Sequence, residues 1–141
     1  MTREVDIQSQ LIRDARTAGA FAYKTSHRFL IGVPDLFIQM PGFPACQIEV
    51  KKLDGMPKSG VIRVDLTPHQ RRHLLNLHVA GGFGGWLVVV KEGETWYGFV
   101  GTDSKSCAVT VGEWPFTVIK RRGEHWPIKS ILQHLTMGYL P

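Results

Sequence analysis

Residues 33–52, V-P-D-L-F-I-Q-M-P-G-F-P-A-C-Q-I-E-V-K-K, leave the backbone few options. Two alternating runs flank a Pro-Gly-Phe-Pro break, the pattern of two strands joined by a short turn. Strand side chains alternate between faces, so Leu36, Ile38 and Met40 share one face while Asp35, Phe37 and Gln39 share the other. In the second run Ile48 and Val50 oppose Gln47, Glu49 and Lys51. Pairing the strands with their aliphatic faces together brings Asp35, Glu49 and Lys51 out on a common face. Two carboxylates and one ammonium then share a small volume. Such a set suits Mg²⁺, which prefers carboxylate oxygen and keeps several waters. The lysine can position or help deprotonate water and offset charge building on a phosphate. A half-solvated hairpin with an ordinary cross-strand Glu-Lys pair produces the same E-x-K string, so the assignment needs support from the rest of the chain.

A chain of 141 residues fits one domain with a sizeable core. Lys and Arg total 17 against 12 Asp and Glu, giving +5 and a pI near 9.5, which favours a polyanionic partner. Cys46 and Cys107 are far apart and outside any C-x-x-C pair, which argues against a zinc knuckle or disulfide framework and for two reduced core thiols. The start of the chain is charged rather than apolar, and the longest aliphatic run, residues 86–90, is far too short to span a membrane. A soluble, intracellular protein is expected.

Residues 3–18 read as a first helix, with Thr2 as N-cap and Gly19 as stop. At about 100° per residue, Ile7, Leu11, Ala15 and Ala18 share an arc with Val5 and Ile12 on its shoulder. Glu4 and Gln8 fall inside that arc. Glu4 either sits at the first turn, where the helix dipole favours an acid, or points across a cleft at something positive. Residues 20–25 read as a strand and 26–32 as a loop, in which His27 and Arg28, together with Lys24, are candidate phosphate contacts.

Residues 53–66 read as a flexible polar loop, with Lys52, Lys58 and Arg63 as candidates to line a DNA path. Gly55 and Gly60 do not form a P-loop, since no Lys-Ser or Lys-Thr follows. Thr67-Pro68-His69-Gln70 opens a second helix reaching about Ala80, with Thr67 as N-cap, Pro68 at the first position and Gln70 completing a capping box. His69 and His73 have metal-compatible spacing, but H-Q-R-R-H lacks the glutamate of H-E-x-x-H and no third ligand is evident. Arg71 and Arg72 are further candidates for phosphate contact. Leu74, Leu75, Leu77 and Val79 are expected to supply the apolar contacts.

Residues 84–90 form a continuous apolar strand of the kind buried on both faces. Strands are expected over 95–101, 107–111 and 115–120, and a final helix over 127–135. Trp86, Trp96, Trp114 and Trp126 are either core residues or part of a base-stacking platform. Lys120-Arg121-Arg122 is either a second DNA contact or a solvated turn.

G-V-P-D-L-F-I followed by Q-I-E-V-K-K resembles the catalytic hairpin of the PD-(D/E)XK nuclease superfamily. The longer context, residues 4–90, resembles its VRR-NUC (virus-type replication-repair nuclease) branch. The resemblance implies a single α/β domain of restriction-endonuclease-like fold: helix, three strands, helix, strand around a central mixed sheet, core about 1–90, with a β-rich extension over 91–141. It implies a Mg²⁺-dependent DNA endonuclease, with Mn²⁺ able to substitute. Asp35 and Glu49 hold the metal, with the main-chain carbonyl of Val50 and with Glu4, whose E-x-x-x-Q context with Gln8 matches that branch. Lys51 orients the attacking water, and Gln70, in its T-P-x-Q-like context, steadies Lys51 or the water. The family further implies branched DNA such as Holliday junctions, homodimers, and phage or viral relatives of this size. Two alternatives stand beside it: a non-catalytic nucleic-acid-binding module on the same fold, and a restriction-type enzyme reading a short DNA sequence. The second is disfavoured by the absence of an evident recognition domain.

Overall fold

A computed structural model of the 141-residue chain describes residues 2–25 and 31–137. The hairpin forms as the alternation requires. Strand β2 (Leu36–Gln39) and strand β3 (Cys46–Leu53) run antiparallel, with Leu36 opposite Ile48 and Phe37 opposite Gln47. Strand β1 (Phe21–Lys24) joins the free side of β2, Tyr23 lying across from Phe37. Strand β5 (Phe83–Glu92) lies parallel to β3 on the other side, pairing Glu49 with Trp86 and Lys51 with Val88.

Beyond residue 90 two more strands extend the same sheet. Strand β6 (Thr95–Gly101) returns antiparallel to β5, and strand β8 (Thr117–Arg121) pairs with β6, completing the order β1-β2-β3-β5-β6-β8. Strand β5 is buried from Gly84 to Val90, as its uninterrupted apolar run predicts.

Each face of this sheet carries its own core. On one side lie helix α1 (Glu4–Thr17) and helix α3 (Ile128–Leu135), whose Ile7, Leu11, Ala15, Ile131 and Leu132 pack on Leu36, Ile38, Ile48, Val50, Leu87 and Val89. On the other side helix α2 (Pro68–Val79) and a two-stranded sheet of β4 (Val61–Val64) and β7 (Cys107–Thr110) cover Trp86, Val88, Val90 and Phe99. Gly101 lies directly against the Trp86 ring, where any Cβ would collide. Trp86, Trp96 and Trp126 are buried and Trp114 partly so, which resolves the tryptophan alternatives in favour of packing.

Several expectations are corrected. The stretch 53–66 is not a plain loop, because V-I-R-V alternates and buries Ile62 and Val64 against Val109 and Leu74. Its polar flanks obscured that short strand. The N-cap of α1 is Arg3 rather than Thr2, and the Arg3 N–H donates to the Asp6 carboxylate at 2.8 Å. On α2 only Leu74 is fully buried, while Leu75 is 52% and Val79 80% exposed, since the helix presents just one narrow side to the sheet. Cys46 is a buried free thiol, whereas Cys107 is only half-buried. Burial raises the Cys46 pKa to about 12 and the Cys107 pKa to about 11.

Candidate active site

The α2-facing side of β2 and β3 carries Asp35, Glu49 and Lys51, as the period-two pattern demands. Asp35 stands just ahead of β2, and its Oδ2 accepts the Val50 N–H at 2.8 Å. That bond fixes the carboxylate against β3. Glu49 is 4% exposed, and its Oε2 accepts from Gln70 Nε2 at 3.0 Å and lies 3.6 Å from Lys51 Nζ. Glu4, at the exposed start of α1, accepts the Lys52 N–H at 3.2 Å, so it points across to β3 rather than remaining a plain first-turn acid.

Gln70 reaches the site because of the helix start it caps. Thr67 Oγ1 accepts the Gln70 N–H at 3.2 Å, and Gln70 Oε1 accepts the Thr67 N–H at 3.0 Å. The same Oε1 accepts from Lys51 Nζ at 3.2 Å. With two donors facing one amide atom and a carboxylate facing the other, only one amide orientation satisfies all the bonds. The capping box thereby holds both Lys51 and Glu49 in place. Gly32, at φ +87, passes so close to the His69 backbone that a side chain would overlap it, which lets the segment entering β2 approach the start of α2.

Burial, and then the neighbouring Asp35 carboxylate, raise the Glu49 pKa to about 8, against the opposing pull of Lys51. Asp35 is raised as well, first by burial, with the Val50 N–H opposing and the Glu4 charge adding to the rise. Two desolvated acids face one another with a single ammonium beside them. The cluster is short of positive charge, the condition a bound cation relieves.

The donor set fits a hard divalent ion, being all oxygen. Among the described residues no three His, Cys, Asp or Glu side chains gather closely enough to hold a metal on their own. Any cation here would rest on two carboxylates, main-chain oxygen and water, the habit of Mg²⁺ more than of Zn²⁺. His69 and His73 do not act together: His69 is exposed, and His73 Nε2 pairs with Gln47 Oε1 at 2.6 Å.

The proposed DNA contacts are dispersed. Lys58, Arg63, Arg71 and Arg72 are exposed, whereas Lys52 is mostly covered and its Nζ lies 3.4 Å from Asp54. Lys24 Nζ donates to Ser9 Oγ at 2.8 Å. His27 and Arg28 lie outside the described residues. Arg122 of the late basic run pairs with Glu94 at 3.2 Å. Reading the sequence for charge alone overlooked a cleft of about 480 Å³ between α1 and β1, lined by Arg13, Arg16, Lys24, Ser9 and Thr17. An i, i+3 pair of arginines on the polar side of α1 was the available signal. It also overlooked the ring cluster of Phe21, Tyr23 and Phe37, for which A-F-A-Y-K opposite L-F-I-Q was the signal.

The chain is similar in three dimensions to Archaeoglobus fulgidus Hjc, a Holliday junction resolvase from an archaeal hyperthermophile. The TM-score is 0.56 over 83% of this chain and 91% of that one, at 13% sequence identity. The likeness is one of fold, a restriction-endonuclease-like α/β architecture with a central mixed sheet flanked by helices. No protein-family profile matches the sequence, and the comparison with curated proteins returned no match.

Proposed function

We propose that the protein is a Mg²⁺- or Mn²⁺-dependent DNA endonuclease of the PD-(D/E)XK type, VRR-NUC-like, acting on branched DNA such as Holliday junctions as a homodimer. The observation that carries this reading is the convergence of Asp35 and Glu49, both raised in pKa, with Lys51 and Gln70 on one sheet face. A purely DNA-binding module has no use for a buried acid, Glu49, set against a half-buried one, Asp35, so that each raises the cost of charging the other. The fold shared with a Holliday junction resolvase supports the choice of substrate.

Asp35, Glu49 and the Val50 carbonyl would hold the cation, with Glu4 reaching it through water. When bound, the metal supplies Lewis-acid stabilisation of phosphate charge and lowers the pKa of water. Lys51 orients the attacking water and stabilises the phosphorane-like transition state. Gln70 holds Lys51 by its carbonyl oxygen and Glu49 by its amide. A two-fold pair of such sites matches two symmetric cuts in a junction.

The test is cleavage of a labelled four-way junction and an equal-length linear duplex in Mg²⁺, Mn²⁺ or EDTA, beside Lys51→Ala. Metal-dependent cutting of the junction, lost in the variant, is expected. Equal cutting of both substrates removes the branched-DNA assignment, and binding without any cutting removes the enzyme.

A further inference from the structure

On the same sheet face as Asp35 and Glu49, the β1–β2 edge is left open among the described residues. Tyr23 and Phe37 stack with ring centroids 5.0 Å apart at 20°, and Phe21 meets both edge-on at 5.5 and 6.2 Å. Phe21 is 65% and Tyr23 40% exposed, so three contiguous rings stand partly in water where single exposed apolar residues would be unremarked. Their neighbours on this face are Gln39 and Gln47, with no aliphatic side chain among the paired positions. Aromatic side chains are enriched at protein interfaces as well, so it is the polar and cationic surround that selects the occupant. Flat rings interleaved with amides and bordered by cations suit flat, hydrogen-bonding, polyanionic partners.

The flank of β1 carries the matching charge. Arg16 Nε donates to the Ala22 carbonyl at 3.1 Å, which places the guanidinium at the strand's outer edge. Arg13 and Lys24 join it in the cleft of about 480 Å³, whose lining contains no carboxylate. At the far end Phe21 also lines a cleft of about 350 Å³ with Gln39 and Phe43. Phe37 lies two residues from Asp35 on the same side, about 7 Å along a strand. A nucleotide with its phosphate at the carboxylates therefore has its neighbour's base within reach of the rings.

We infer that Phe21, Tyr23 and Phe37 form a stacking platform for unpaired nucleobases, with the strand's phosphates following Arg13, Arg16 and Lys24 along the β1 edge. The inference rests on the nuclease reading and narrows its substrate to DNA that presents single-stranded bases beside the scissile bond. Every base has a π face, so the platform is indifferent to sequence.

The experiment measures binding alone, in EDTA, with the full chain. Single-stranded and forked oligonucleotides carrying 2-aminopurine are titrated with wild type, Tyr23→Phe, and a Phe21→Ala/Tyr23→Ala variant, alongside blunt duplex. Stacking quenches the probe in wild type and Tyr23→Phe. In the double variant quenching is lost, and the preference for single-stranded over duplex DNA falls at least about fivefold for each ring removed. Unchanged quenching and preference overturn the inference. So does a variant that turns from dimer to monomer by light scattering while its single-strand affinity holds, because the rings then belong to a second copy. Since no cutting is read, failure here leaves the junction-cleavage result standing, and failure of cleavage leaves this result standing.

Discussion

Asp14 and Glu49 are buried to nearly the same degree, 3% and 4% exposed, yet their surroundings differ in kind. Asp14 on α1 has each oxygen taken: Oδ1 by His125 Nδ1 at 2.8 Å and Oδ2 by the Trp126 N–H at 2.8 Å. It pins α1 to the segment that precedes α3. Glu49 instead faces a second acid, and it is the Asp35 field, added to burial, that raises its pKa. A carboxylate that serves the fold is surrounded by donors. One crowded by another carboxylate is held in a state that folding alone does not favour.

The contrast breaks first at Lys51. Lys51→Ala should lower single-turnover cleavage by about 10²–10³-fold, the loss typical of removing one aimed donor from a reacting centre. Thermal unfolding should show the variant folded. Asp14→Ala should do the reverse, leaving cleavage per folded molecule unchanged.

A second contrast concerns pH in the metal-free protein. Glu49 holds its proton in the folded state up to about 8 and loses it near 4.5 when unfolded. Between those values the folded state binds more protons, so stability declines as pH rises from 4.5 through 8. Urea unfolding in EDTA at pH 5 and pH 9 should differ by a few kcal/mol, on a scale of about 1.4 kcal/mol per pH decade. Glu49→Gln should flatten the difference.

Asp14→Ala leaves the Trp126 N–H without its acceptor and should cost about 1–3 kcal/mol, read from urea curves. The smallest effect belongs to Gln70→Ala. Losing its return bond to the helix start should cost about 0.5–1.5 kcal/mol, and losing its hold on Lys51 should slow cleavage about tenfold, less than removal of Lys51 itself.

The site face was legible from sequence because alternation along 33–52 leaves no other way to bury Leu36, Ile38, Ile48 and Val50. Thr67 and Gln70 were legible as a capping box, since capping depends on local spacing. That one amide oxygen serves both the cap and Lys51 was not, because it depends on where α2 crosses the sheet. The Asp14 pin was equally hidden: its partners are more than a hundred residues away, at His125 and Trp126. Strand β4 escaped notice because its partner, β7, lies far along the chain and beyond α2, and four residues carry little periodic signal.

The most direct test is a calorimetric titration of Mn²⁺ into the protein at pH 7, repeated in buffers of different ionisation enthalpy. Saturable binding should release a proton, because the cation displaces the one Glu49 retains, and both binding and release should vanish in Asp35→Asn. Binding of equal strength in Asp35→Asn, or no saturable binding in the wild type, would contradict a metal centre built on these two acids.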